Sequence, residues 1–138
     1  MSATVDGPIG LFDSGVGGLT VARALADRLP GERLLYFGDT AHLPYGDKSP
    51  EAIRGYSLAI AQHLVDLGAK AIVVACNSAS SVAYEALVAA MSVPVFNVID
   101  PVVAEVARLG VDRVGIWGTK ATIKSGVFPA KLAAQAPD

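Results

Sequence analysis

Cys76 is the only cysteine in the chain, and it sits where a thiol can do chemistry. It follows the apolar run Ala71-Ile72-Val73-Val74-Ala75, which reads as a buried parallel strand. Asn77, Ser78 and Ser80 come directly after it and offer N-cap chemistry for a following helix. A residue between a strand C-terminus and a helix N-terminus lies on the edge where open α/β sheets bind ligands. Free N–H groups and the partial positive charge of the helix end attract anions there and lower a thiol pKa. A modest net depression is expected for Cys76, because an aspartate, Asp13, is expected nearby and opposes it. A lone cysteine is commonly just a small buried hydrophobe; here the position and the polar neighbours favour a reactive group.

Other polar residues gather at strand ends too: Asp13 and Ser14, Asp39 and Thr40, Thr119 and Thr122. Asp39 and Ser80 read as helix caps, whereas Asp13 and Asn77 read as functional neighbours of the thiol. The turn Ser14-Gly15-Val16-Gly17-Gly18 lacks the spacing of a dinucleotide fingerprint, and no Gly-Lys-Ser/Thr follows to make a P-loop. A tight turn with N–H groups able to hold a carboxylate fits better. His42 and His63 have no spacing that makes a metal set with Cys76. His63 reads as a helix surface or packing residue, and His42, in a loop, has an open role. Tyr45, in Leu43-Pro44-Tyr45-Gly46, fits equally the wall of a ligand site and a plug over the core.

The elements that would position these groups follow from periodicity and punctuation. Strands are predicted at 9–12, 34–37, 71–75, 94–99 and 114–117. Helices are predicted at 19–29, about 50–67, roughly 80–91, 101–110, and 123–132, the last interrupted by Gly126 and Pro129. The first helix has Leu19, Ala22, Leu25, Ala26 and Leu29 on one face, and the second has Ile53, Tyr56, Ile60, Leu64 and Leu67. Ser49-Pro50-Glu51 is a helix start, with a cap, a proline at the first position and an acid in the first turn. Gly68 is the matching stop. Strand–helix alternation repeated about five times argues an α/β protein with an open parallel sheet and helices on both faces.

A length of 138 residues suits one domain, and 52% hydrophobic with 17% charged residues suits a globular core. A net charge of −2 gives no basic footprint for nucleic acid. The N-terminus has neither a basic nor an apolar leader region, and no apolar run approaches the roughly eighteen residues of a membrane span. One cysteine excludes an internal disulfide framework and suits a reducing cytosol. A cytoplasmic protein without membrane contact is expected.

Four co-ordered motifs resemble those of glutamate racemases, of the aspartate/glutamate racemase group: Asp13-Ser14-Gly15-Val16-Gly17-Gly18-Leu19-Thr20, Pro44-Tyr45-Gly46, Val74-Ala75-Cys76-Asn77-Ser78-Ala79-Ser80 and Gly118-Thr119-Lys120-Ala121-Thr122. The resemblance covers nearly all of the chain. It implies a cofactor-independent, metal-free isomerase that interconverts L- and D-glutamate and supplies D-glutamate for bacterial peptidoglycan. Two thiols on opposite faces would remove and return the α-proton. Cys76 matches the first, and Asp13 would position that thiol or its proton. Ser14, Pro44, Tyr45, Gly46, Asn77, Ser78, Thr119 and Thr122 match positions around the substrate. Ser78 stands where the family usually has threonine, and both residues supply a hydroxyl. The resemblance also implies a two-lobe fold, with residues 1–99 as the first lobe and 100–138 as the start of a truncated second. A second Cys-Thr-His segment is absent, so the chain resembles the first half of a racemase and is expected to be inactive alone. It leaves a homodimer open.

Aspartate racemase is the nearest rival, and the first two motifs favour glutamate. A complete flavodoxin-like binding or signalling domain is the alternative from another class. A phospho-receiver would place an aspartate after the third strand, where this chain has Cys76, and a flavin site would want more hydroxyls and fewer glycines after the first.

Overall fold

The computed structural model describes residues 6–135. The leader reading at 1–5 and the last three residues of the expected second lobe lie outside them. Among the described residues the strands are β1 (Ile9–Asp13), β2 (Leu34–Gly38), β3 (Ala71–Val74) and β4 (Val95–Asn97). The helices are α1 (Leu19–Arg28), α2 (Pro50–Asp66), α3 (Asn77–Ala90), α4 (Ile99–Leu109), α5 (Lys120–Ser125) and α6 (Val127–Gln135). A 3₁₀ turn, Tyr45–Asp47, follows the cis bond between Leu43 and Pro44.

The four strands form one parallel sheet in the order β2-β1-β3-β4. The chain moves one way from β1 to β2 and the other way from β2 to β3 and β4. Right-handed crossovers therefore put α1 on one face and α2 and α3 on the other. The α2/α3 face holds the core. Phe12, Ile72 and Val74 meet Ile53, Ala61 and Leu64 of α2 and Ala79, Ala83 and Leu87 of α3, all buried. Each large side chain so buried contributes about 1.5–3 kcal/mol.

The α1 face is thinner. No side chain of α1 is buried, and Leu19 stays 50% exposed. Of the expected apolar stripe only Ala22 and Leu25 are half-buried, while Leu19, Ala26 and Leu29 are exposed; β2 lies at the sheet edge, so little sheet runs beneath the helix. Phe96, on β4 at the opposite edge, is 55% exposed.

Helix boundaries follow their punctuation. Ser49 Oγ accepts the Ala52 N–H at 3.2 Å, Pro50 opens α2, and Gly68 takes a φ of +89° just after its end. The interruption near the C-terminus falls at Gly126, whose φ is +67°. Pro129 lies in the first turn of α6, where a missing N–H costs nothing.

Three expectations are corrected. No strand forms at 114–117, so the sheet has four strands rather than five. That segment lines a cleft of about 380 Å³ with Val102, Phe128 and Leu132 of α4 and α6, and Trp117 is fully exposed. A β-rich run becomes a strand only when a neighbouring edge pairs its backbone, and these residues lie against helices. Second, α3 begins at Asn77 rather than at 80, because the Cys76 thiol itself caps it. Third, α4 begins at Ile99, ahead of Pro101, because Asn97 Oδ1 accepts the N–H groups of Ile99 and Asp100, each at 2.8 Å.

Candidate active site

Strand register brings the polar strand ends together. Asp13 pairs with Gly38, while Phe12 pairs with Val74 and Val74 with Asn97. Asp13, Asp39 and Cys76 therefore share one edge of the sheet, the edge where such sheets take ligands. Below them lies a cleft of about 560 Å³, lined by Asp13, Ser14, Pro44, Cys76, Asn77, Ser78 and Thr119.

Cys76 is 5% exposed. Its Sγ accepts the Ala79 N–H and its thiol donates to Ser14 Oγ, both at 3.5 Å. Burial pushes the thiol pKa above its ordinary value, and the Asp13 charge adds to the rise. The bonds from Ala79 and with Ser14 pull the other way and do not win. The expected depression is thus overturned: the contacts with Ala79 and Ser14 offset less than the loss of water around the anion. Iodoacetamide alkylation of Cys76, followed by intact mass against pH, is expected to show a midpoint above the free-thiol value of about 8.5. A lower midpoint would contradict this assignment of the electrostatics.

Asp13 is buried, and its Oδ2 accepts the Gly18 N–H at 2.8 Å. Within the chain, the Gly18 N–H of the glycine turn holds the Asp13 carboxylate. The fit demands glycine. A Cβ on residue 18 would fall 2.7 Å from the Asp13 Cβ and 2.9 Å from the Ala75 Cβ.

On the far side of the cleft, three hydroxyls form a chain. Ser78 Oγ lies 2.8 Å from Thr119 Oγ1, which lies 3.1 Å from Thr122 Oγ1. Ser78 is buried and Asn77 exposed. Of the residues singled out by sequence, Tyr45, Gly46 and Thr122 do not line this cleft. Tyr45 is 1% exposed and belongs to the core cluster with Phe12 and Ile53, so it is a plug rather than a wall. Its OH donates to Asp39 Oδ2 at 2.5 Å, and burial together with that carboxylate drives its pKa far up. Gly46 backs onto Thr119, where a Cβ would meet Thr119 Cβ at 2.7 Å. Thr122 is buried behind Thr119 and lines the neighbouring cleft beside α4.

Asp39 is not a helix cap. Its buried carboxylate takes Tyr45 and, at 2.9 and 3.0 Å, Nδ1 of His42. Ser80 does not cap either, since its hydroxyl donates to the Val74 carbonyl at 3.1 Å. The ring of His42 stacks on Tyr56 with centroids 4.1 Å apart, and His63 packs edge-on near Phe37. Among the described residues no three His, Cys, Asp or Glu side chains are grouped to hold a metal ion. None of their helices is long and apolar enough to cross a membrane. Thr40, one of the polar strand-end residues singled out by sequence, lines the cleft, and sequence reasoning missed Val98. Val98 lies just beyond the end of β4 and is apolar, so a search for polar strand-end residues passes over it.

Comparison with known proteins gives this geometry a family. A glutamate racemase of Thermus thermophilus is 55% identical over 122 residues, a match that covers 88% of this chain and 47% of that protein. The solved structure of a glutamate racemase from Aquifex pyrophilus superposes with a TM-score of 0.91 at 47% identity, over 95% of this chain and 52% of that one. A Francisella tularensis glutamate racemase solved in complex with D-glutamate gives a TM-score of 0.89 at 39% identity, over 96% of this chain and 50% of that one. The chain spans about half the length of the curated relatives it matches. The profile of the family described as Asp/Glu/Hydantoin racemase matches residues 19–136, and the chain belongs to that family.

Proposed function

We propose that these residues form the first half of a glutamate racemase, in which Cys76 exchanges a proton with the α-carbon from one face of the substrate. One observation carries this reading: the chain's only thiol is buried at the strand-end edge, in a cleft whose facing polar groups are mostly neutral hydroxyls and amides. Glutamate brings two carboxylates and an ammonium. Ser14, Asn77, Ser78 and Thr119 offer donors for the carboxylates. Asp13, fixed by Gly18, stands beside the thiol as a counter-charge for the ammonium or a relay for the proton.

The raised thiol pKa suits the task. An α-proton is weakly acidic, and a more basic thiolate removes it with a better driving force. The same shift keeps the thiol neutral while the cleft is empty, and the incoming ammonium favours its ionisation. The reaction proposed here needs side chains alone, without cofactor. Residues 1–99 form the first lobe in this reading, and 100–138 begin the second. A lone thiol suits a reducing cytoplasm, where the D-glutamate formed would feed peptidoglycan.

The test is protection of the thiol. Both enantiomers of glutamate are expected to slow Cys76 alkylation, and L-aspartate, one methylene shorter, to slow it less. Absence of protection by either glutamate enantiomer, or stronger protection by aspartate, overturns the substrate assignment.

A further inference from the structure

Asp39 lies outside the reading so far. It follows β2 directly, and its N–H donates to the Asp13 carbonyl at 2.9 Å, so its backbone is part of the sheet edge. Its carboxylate reaches across the following loop to two of that loop's own residues, Tyr45 and His42. A buried phenol must find an acceptor for its O–H, and Asp39 is the acceptor Tyr45 finds. Between these ties, Leu43 and Pro44 gain little from packing: both are exposed, Leu43 to 51%. They nevertheless line the cleft that holds Cys76. Beyond Tyr45 the chain passes Gly46, on which Thr119 rests.

We propose that Asp39 is a positioning residue for the chemistry at Cys76: through Tyr45 and His42 it fixes the 40–44 wall of the cleft, and through Gly46 it seats Thr119. The inference rests on the proposal that this cleft receives the substrate. Asp39 does not line the cleft. It acts by setting where one wall and one hydroxyl stand.

The experiment compares Asp39→Ala, Asp39→Asn and Tyr45→Phe with the parent chain by deuterium exchange and by the rate of Cys76 alkylation at fixed pH. Asp39→Ala and Tyr45→Phe are each expected to raise exchange in 40–48 and 119–122 about tenfold, the scale of one lost charge-assisted hydrogen bond. Exchange in the cores of α2 and α3 is expected to stay unchanged. Alkylation of Cys76 is expected to quicken several-fold as the wall loosens. Asp39→Asn keeps an oxygen for the Tyr45 O–H and is expected to restore most of the parent behaviour. Tyr45→Phe supplies the answer should Asp39→Ala not fold. The proposal is overturned if exchange in 40–48 stays within about twofold of the parent, if it rises equally in α2 and α3, or if asparagine behaves as alanine does. Glutamate takes no part in these readouts. A failed loop result therefore leaves the substrate reading standing, and missing glutamate protection beside the expected loop result removes the substrate reading alone.

Discussion

Cys76→Ser is expected to cut glutamate α-proton exchange about a thousandfold in a polypeptide that continues these residues into a racemase second half, the usual scale for loss of a positioned acid–base group. Serine is nearly isosteric with cysteine, and its hydroxyl is a far weaker acid. Little alkoxide forms near neutral pH, and the Asp13 carboxylate, held by the Gly18 N–H, is a far weaker base than the thiolate. The fold is expected to survive. Cys76 caps α3 by accepting the Ala79 N–H, and serine is among the preferred residues for that position. Circular dichroism and melting temperature should match the parent while D-glutamate formation, followed by chiral separation, disappears. Persistence of that activity would remove Cys76 from the chemistry.

The 138-residue polypeptide by itself is expected to make no D-glutamate. A thiolate approaches the α-carbon from one face, and inversion needs a donor on the other. The chain has one cysteine. Asp13 stands on the same side as Cys76, held by Gly18, and His42 is turned toward Asp39 and Tyr56. The cleft is also open to water, which weakens each electrostatic contact to a bound substrate. Incubation of L-glutamate with the purified chain in deuterium oxide, then chiral separation with mass analysis, decides the matter. Retention with some α-deuterium fits a single base. D-glutamate above a protein-free control, from a preparation free of host racemase, would require a second base among the residues present.

What could be read from sequence was local. The Ser49-Pro50-Glu51 start, the Gly68 stop and the strand leading to Cys76 each depend on residues a few positions apart, and each stands in the structure. The placement of Asp13, Ser14, Cys76 and Ser78 around one cleft follows from parallel strands whose ends share one edge, which alternation already implied; the order β2-β1-β3-β4 is seen only in the structure. The helix starts at 77 and 99 were misread through local caps, Cys76 and Asn97, and other misreadings involve partners distant in sequence. Val114 and Ile116 carry strand propensity, yet their neighbours turned out to be α4 and α6. The sign of the Cys76 shift depends on how fully other segments cover the thiol, which periodicity does not encode. Tyr45 fits wall and plug equally by type, and its burial in the core cluster, with Asp39 as acceptor for its O–H, separates the two.

The thin packing of α1 gives the cleft a particular energetic character. Local opening costs little where few apolar contacts are lost, and α1 has no buried side chain to lose. The turn before it and its first residues, from Gly15 to Thr20 and Val21, form one bank of the cleft. The same bank is tethered through Gly18 to Asp13. A ligand that bridges this bank to Cys76 must therefore stabilise α1 against local unfolding by an amount set by its own affinity and concentration. Protease resistance of the Arg23 and Arg28 peptide bonds would then serve as a binding isotherm, read from a helix that never touches the reacting carbon.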